Sequence, residues 1–171
     1  VYATQQQLDD GRWQLRFVRT LRHPVETVWQ AITDPDHLAH WFPTTIDGER
    51  AAGALLRFAF ADGAAPPFDG EMLAFEPPRL MEVRWGTDIL RFELRPSADD
   101  TILTLLDTLD ERGKAARDGA GWHVCLDALT ASLSGEPHPR EAMNGWKNVH
   151  PHYLERFGPN AATIGPPEGS H

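Results

Sequence analysis

Cysteine is almost absent, with Cys125 alone among 171 residues. No internal disulfide can form, so the core must hold the fold, and a reducing compartment suits such a chain. Long apolar runs are missing too. None approaches the ~18 residues of a membrane span, so membrane insertion is not expected. The stretch Val1–Gly11 is polar and has no basic region followed by an apolar one; no secretory signal is expected, and the cytoplasm is the expected location. Positive charge is scarce: 16 Lys and Arg stand against 25 Asp and Glu, a net charge of −9, and the basic residues are scattered. Such a chain repels polyphosphate backbones, and nucleic acid is not an expected partner. A glycine-rich phosphate loop is lacking as well. Among the histidines, His37 with His40, His150 with His152, and His123 near Cys125 show no spacing of a known metal site. His123 and Cys125, two apart on a helix, point in different directions. No metal and no cofactor are expected, and Cys125 in an apolar stripe reads as packing.

Large rings are what the chain does have, with six tryptophans and eight phenylalanines. Each must be buried, stacked on a ligand or presented to another protein. With 41% hydrophobic and 24% charged residues the composition is that of a globular protein, and a chain of this size buries about 70% of its unfolded surface. Trp13, Leu15 and Phe17 alternate with polar residues, which predicts a strand over residues 12–20. Val25, Val28, Trp29 and Ile32 follow the i, i+3, i+4, i+7 rule of a short helix. A second helix, capped by Asp34 or Asp36, would carry Leu38, Trp41 and Phe42 and stop at Pro43. From Gly53 to Asp110 short alternating runs are separated by turn residues: Leu56-Phe58-Phe60, Gly70–Phe75, Met81-Val83-Trp85, Leu90-Phe92-Leu94 and Leu103-Leu105, with an earlier strand near Thr44–Ile46. This predicts an antiparallel meander. After Gly113, Trp122, Cys125, Leu126, Leu129 and Leu133 form one helical stripe, ended by Gly135 and Pro137. Gly119 and Gly121 in its first half allow another group to approach the backbone. Trp146, Tyr153, Leu154 and Phe157 suggest a closing helix. The expected organisation is an arm over residues 1–11, one domain over 12–158 and a tail over 159–171. Its class is α+β, a curved antiparallel sheet of about seven strands around a long C-terminal helix, with two short helices after the first strand.

In this order, PVETVWQAITDPDHLAHWFPTTID (Pro24–Asp47), GEMLAFEPPRLMEVRW (Gly70–Trp85), TILTLLDT (Thr101–Thr108) and GWHVCLDAL (Gly121–Leu129) resemble the START-like or SRPBCC superfamily. The resemblance is to the branch named for the C-terminal domain of the activator of Hsp90 ATPase, and it covers most of residues 12–158. It implies the helix-grip (Bet v 1/START-like) fold, with a cavity between the concave sheet face and the helix. One fold hosts many functions, so the site must decide among them.

Trp29 and Phe17 read as core. The candidate ligand-binding residues are Trp41, Phe42, Phe58, Phe60, Met72, Trp85, Phe92, Asp107, Trp122 and Leu126. Met81, Val83 and Trp85 share a sheet face and Trp122, Leu126 and Leu129 a helix face, so the two stripes should oppose each other. If the bend of the sheet holds them apart, a pocket on the order of 300–1,000 Å³ is expected between them. Asp107 points inward by the same alternation as Leu103 and Leu105, and there it needs an arginine, the indole N–H of Trp122 or a ligand; a frayed strand end would instead leave it solvated. The leading functional expectation is binding of a small hydrophobic molecule such as a lipid, polyketide or aromatic metabolite. A cyclase or dehydratase using Asp107 with a histidine such as His123 is the second. An Hsp90-type co-chaperone module is the least expected, and a homodimer stays open.

Overall fold

The computed structural model of the chain describes residues 2–60, 62–63, 65–136 and 143–165. One antiparallel sheet contains β1 (Thr4–Gln7), β2 (Trp13–Leu21), β3 (Thr44–Asp47), β4 (Leu55–Phe60), β5 (Phe68–Glu76), β6 (Leu80–Trp85), β7 (Asp88–Ser97) and β8 (Asp100–Leu109). The helices are α1 (Val25–Thr33), α2 (Pro35–Leu38), α3 (Ala115–Leu133) and α4 (Met143–Phe157). The strand order is β1-β2-β8-β7-β6-β5-β4-β3. Short turns make β3 to β8 a meander, while β2 pairs along its whole length with β8, from Trp13 opposite Leu109 to Leu21 opposite Thr101. The helices α1 and α2 carry the chain from β2 to the far edge of the sheet. This is the helix-grip architecture, with eight strands rather than about seven.

Side-chain alternation decides the faces. Leu15 and Phe17 in β2, Leu90 and Phe92 in β7, and Leu103 and Leu105 in β8 are buried, and Arg16, Arg91 and Glu93 alternate with them. On this inner face Arg19 reaches α3 and pairs with Asp127 at 2.7 Å, tying sheet to helix. A bulge between Met72 and Ala74 shifts the register of β5 against β6 and so bends the strand.

Helix α1 buries Val25, Val28, Ala31 and Ile32, while Trp29 packs from its flank against Phe75 at 5.3 Å. Helix α2 is a single turn whose cap is Asp34, accepting from the Asp36 N–H at 2.9 Å. The longer helix expected through Phe42 does not form. Trp41 and Phe42 lie in the link to β3, where the Trp41 indole N–H donates to the Ala31 carbonyl at 2.9 Å and anchors the link on α1.

The two ends of the chain are more integrated than an arm and a tail. Thr4–Gln7 pairs with Trp13–Arg16 as an edge strand. The Tyr153 hydroxyl on α4 accepts the Ala3 N–H at 2.9 Å and lies 2.9 Å from His123 Nδ1 on α3. This links the first strand to both helices. After α4, the Ile164 N–H donates to the Gly113 carbonyl at 3.1 Å. Residues 166–171 and Pro137 lie outside the described residues. Among the described residues, no helix is long and apolar enough to cross a membrane.

Two glycines separate by their surroundings. A Cβ on Gly70 would collide with the Arg84 carbonyl across the ladder and with the Phe58 ring, whereas one on Gly121 in α3 meets nothing within 4 Å. Gly70→Ala is expected to destabilise by about 1–3 kcal/mol, and Gly121→Ala to stabilise by up to about 1 kcal/mol. Urea unfolding of both variants checks the opposite signs.

Candidate functional site

Eight rings form one connected ladder between sheet and helix. Phe60 on β4 stands 6.1 Å from Phe68 on β5, and Phe68 lies 5.1 Å from Phe58 and 4.8 Å from Trp85. Trp85, at the end of β6, is 4.8 Å from Phe58 and meets Trp122 of α3 in edge geometry at 5.5 Å. Phe42 closes a triangle, 5.4 Å from Trp85 and 5.5 Å from Trp122. Trp41 follows at 5.2 Å from Phe42 and 6.3 Å from Phe92 on β7. The inner rings are buried, while Trp85, Phe60 and Phe68 at the β4–β5–β6 end are only partly so. The ladder therefore runs from solvent into the core.

Seven of the ten candidate residues, Trp41, Phe42, Phe58, Phe60, Trp85, Phe92 and Trp122, belong to this ladder. Met72, opposite Val83 in the ladder of β5 and β6, and Leu126 on α3 are in the same buried core. The opposition of sheet and helix stripes is as expected, but their separation is not. Trp85 and Trp122 touch, because rings this large bridge the gap that the bend of the sheet leaves. The described grooves lie elsewhere. One of about 530 Å³ is on the outer sheet face beside Arg16, Arg91 and Arg95, and another of about 560 Å³ lies beside Trp29, Arg50 and Phe75. Phe68 escaped the sequence reading. Extending the Met72–Gly70 alternation back by two residues finds it.

Beside Trp122, and so next to the triangle, lies Asp107. The strand does not fray there: Asp107 sits opposite Leu15 and Leu90 within β8 and is 1% exposed. Neither of its oxygens completes a hydrogen bond. The Trp122 indole is close enough to favour the ionised form slightly, without the geometry of a bond. Asp88 at the start of β7 and Asp118 in the first turn of α3 complete a group in which one oxygen of each lies within 4.8 Å of the others. Burial pushes the Asp107 carboxyl well above the ordinary carboxylate range, and the charges of Asp118 and Asp88 push the same way against Lys114. Burial also raises Asp88, although Lys114 donates to it at 2.8 Å and the Asp110 N–H at 3.0 Å. Asp110 itself is held at about 2, since hydrogen bonds from Lys114 and Thr87 outweigh its burial.

The pair expected for acid–base work does not converge. His123 faces Tyr153 and stands 3.5 Å from Asp127, whereas Asp107 faces Asp88 and Asp118. Burial lowers the His123 pKa, and burial raises the Tyr153 phenol to about 12, so this contact is a neutral hydrogen bond.

Two outcomes follow from this geometry. Trp122→Ala removes a ring packed on both Trp85 and Phe42 and is expected to cost about 3–5 kcal/mol in chemical unfolding. The raised Asp107 carboxyl binds its proton more tightly when folded. Its contribution to stability is therefore complete below the ordinary carboxylate pKa and is lost as pH rises through the raised value. In chelator-containing buffer, stability is expected to fall as pH rises above the ordinary carboxylate range of about pH 4, and Asp107→Asn to flatten that fall. Equal slopes in the two proteins would contradict the assignment.

The comparisons with known proteins match this architecture. A conserved protein of unknown function from Enterococcus faecalis superposes with a TM-score of 0.77 at 22% identity, covering 91% of this chain and 90% of its own. CalU16 from Micromonospora echinospora superposes at 0.71 with 25% identity, covering 91% and 95%. DynU16, from the dynemicin biosynthetic locus, superposes at 0.65 with 31% identity over 72% of this chain and 48% of that one. No match was found among the curated proteins. The model of the family described as activator of Hsp90 ATPase homolog 1-like protein matches residues 22–134, the span from the end of β2 to the end of α3 that holds the whole ladder, and the chain belongs to that family.

Proposed function

We propose that the protein binds a small, planar, aromatic molecule between sheet and helix, admitted when the Phe42–Trp85–Trp122 triangle opens. The observation that carries this reading is the continuity of the ladder from partly exposed Trp85 and Phe68 to buried Phe92. A core needs its rings buried; it does not need them connected to the surface in one file. The occurrence of a relative in a biosynthetic locus supports a small-molecule ligand.

Energetics favours an aromatic ligand. Parting the triangle breaks three ring contacts, each worth about 0.5–1.5 kcal/mol beyond area burial. A flat aromatic guest replaces those edge and face contacts in kind. An aliphatic chain replaces only the apolar area. The closed form is the resting state, so apparent affinity is reduced by the fraction of molecules that open. Truncating Trp85 removes the ring common to the triangle and to the outer end of the ladder, which both lowers the opening cost and enlarges the site.

Tryptophan fluorescence titration with naphthalene, anthraquinone and lauric acid tests the proposal. Saturable quenching by the aromatic probes, weaker with lauric acid, is expected for the native chain. In Trp85→Ala the ratio of anthraquinone to naphthalene affinity should rise about tenfold, equivalent to about 1.4 kcal/mol. No saturable binding of either aromatic probe to either protein would rule the reading out.

A further inference from the structure

Asp88, Asp107 and Asp118 come from three elements, the starts of β7 and α3 and the interior of β8, yet one oxygen from each lies within 4.8 Å of the others. The Asp88 side chain is 6% exposed and that of Asp118 19%. Asp107 is 1% exposed, and both of its oxygens are unpartnered. The surrounding cations are already engaged. Lys114 pairs with Asp88 at 2.8 Å and with Asp110 at 2.5 Å, and Arg117 pairs with Asp118 at 2.8 Å. When all four carboxyls are ionised they share two positive charges, and the unpaired one is the most deeply buried. Burying an uncompensated charge is costly.

A proton shared between carboxyls requires oxygens about 2.5–2.7 Å apart, and Asp107 makes no such bond. A metal ion imposes no such closeness. Oxygens 2.3–2.6 Å from Ca²⁺ stand up to about 5 Å from one another across the ion, which covers the 4.8 Å spread seen here. We propose that Asp88, Asp107 and Asp118 form a site for one hard divalent cation, Ca²⁺, Mg²⁺ or Mn²⁺, beside the Trp85–Trp122 contact of the aromatic ladder. The donors are all carboxylate oxygens, without histidine or cysteine, and this set suits hard ions over soft ones. The ion's two charges match the local deficit. Asp118, the least buried of the three, provides the way in from solvent. Histidine and cysteine spacing could not reveal such a site, because its donors stand far apart in sequence.

Terbium(III) serves as the probe, since its emission is sensitised by a tryptophan close to the bound ion and Trp122 adjoins Asp107. The full chain, stripped by chelator, is titrated with Tb³⁺ under tryptophan excitation, and its melting temperature is measured with and without Ca²⁺, Mg²⁺ or Mn²⁺. The expected result is saturable emission at one ion per chain, displaced by at least one of the three divalent ions, which also raises the melting temperature. Affinity should fall at least tenfold in Asp107→Asn or in the less buried Asp118→Asn, which keeps the test intact if the first variant folds poorly. Absence of saturable emission together with an unchanged melting temperature would overturn the proposal. So would saturable emission with unaltered affinity in both variants, which places the ion elsewhere on the acidic surface.

Discussion

Phe42, Trp85 and Trp122 come from three separate parts of the chain, and their mutual contacts at 5.4–5.5 Å are where those parts are joined. Phe42 belongs to the link that follows α2, Trp85 to the end of β6, and Trp122 to α3. A bent sheet cannot touch a straight helix everywhere, and these rings bridge sheet, link and helix where they meet. The constraint propagates outward. The Trp41 indole fixes the link to α1 through the Ala31 carbonyl, and Phe58 and Phe68 hold Trp85 from the sheet side. At the opposite side the Arg19–Asp127 ion pair and the Tyr153 hydroxyl bind the helix layer to β2 and β1.

The same tryptophan that completes the apolar triangle borders the buried acid. Trp122 therefore stands between two environments with opposite demands: a cluster of apolar rings, and a buried Asp107 carboxyl with no hydrogen bond from the protein. Lys114 satisfies Asp88 and Asp110 but leaves Asp107 unpaired. Structural cores rarely retain such a group. Its position beside Trp122, with Asp88 opposite Trp85 in the sheet, brings the buried acid up against the ring triangle.

Much of this was legible in the sequence because it depends on period. The two-residue alternation of β2, β6, β7 and β8 and the helical stripe of Trp122, Leu126 and Leu129 identify the facing walls, and seven of the ladder's eight rings were named from them and from the family resemblance. Gly119 was legible as well, for a Cβ there would stand only 3.3 Å from the Tyr153 and Phe157 rings. Gly121, grouped with it, has no such neighbour. What periodicity could not reveal was distance across the fold. Whether Trp85 and Trp122 enclose a void or touch depends on ring reach and sheet bend, and nothing local in the sequence connects Asp88 to Asp107. Residues 4–7 were read as an arm because their polar Thr-Gln-Gln-Gln run has no alternation; they pair because β2 offers an open edge.

If the triangle is a gate into the ladder as well as a structural joint, a ligand must move its tryptophans. Fluorine NMR of protein carrying 5-fluorotryptophan, titrated with anthraquinone, should then show saturable shifts at Trp85 and Trp122, with Trp13 and Trp146 unmoved. Shifts confined to Trp13 or Trp146, or no shift at saturating probe, would show that the triangle stays shut.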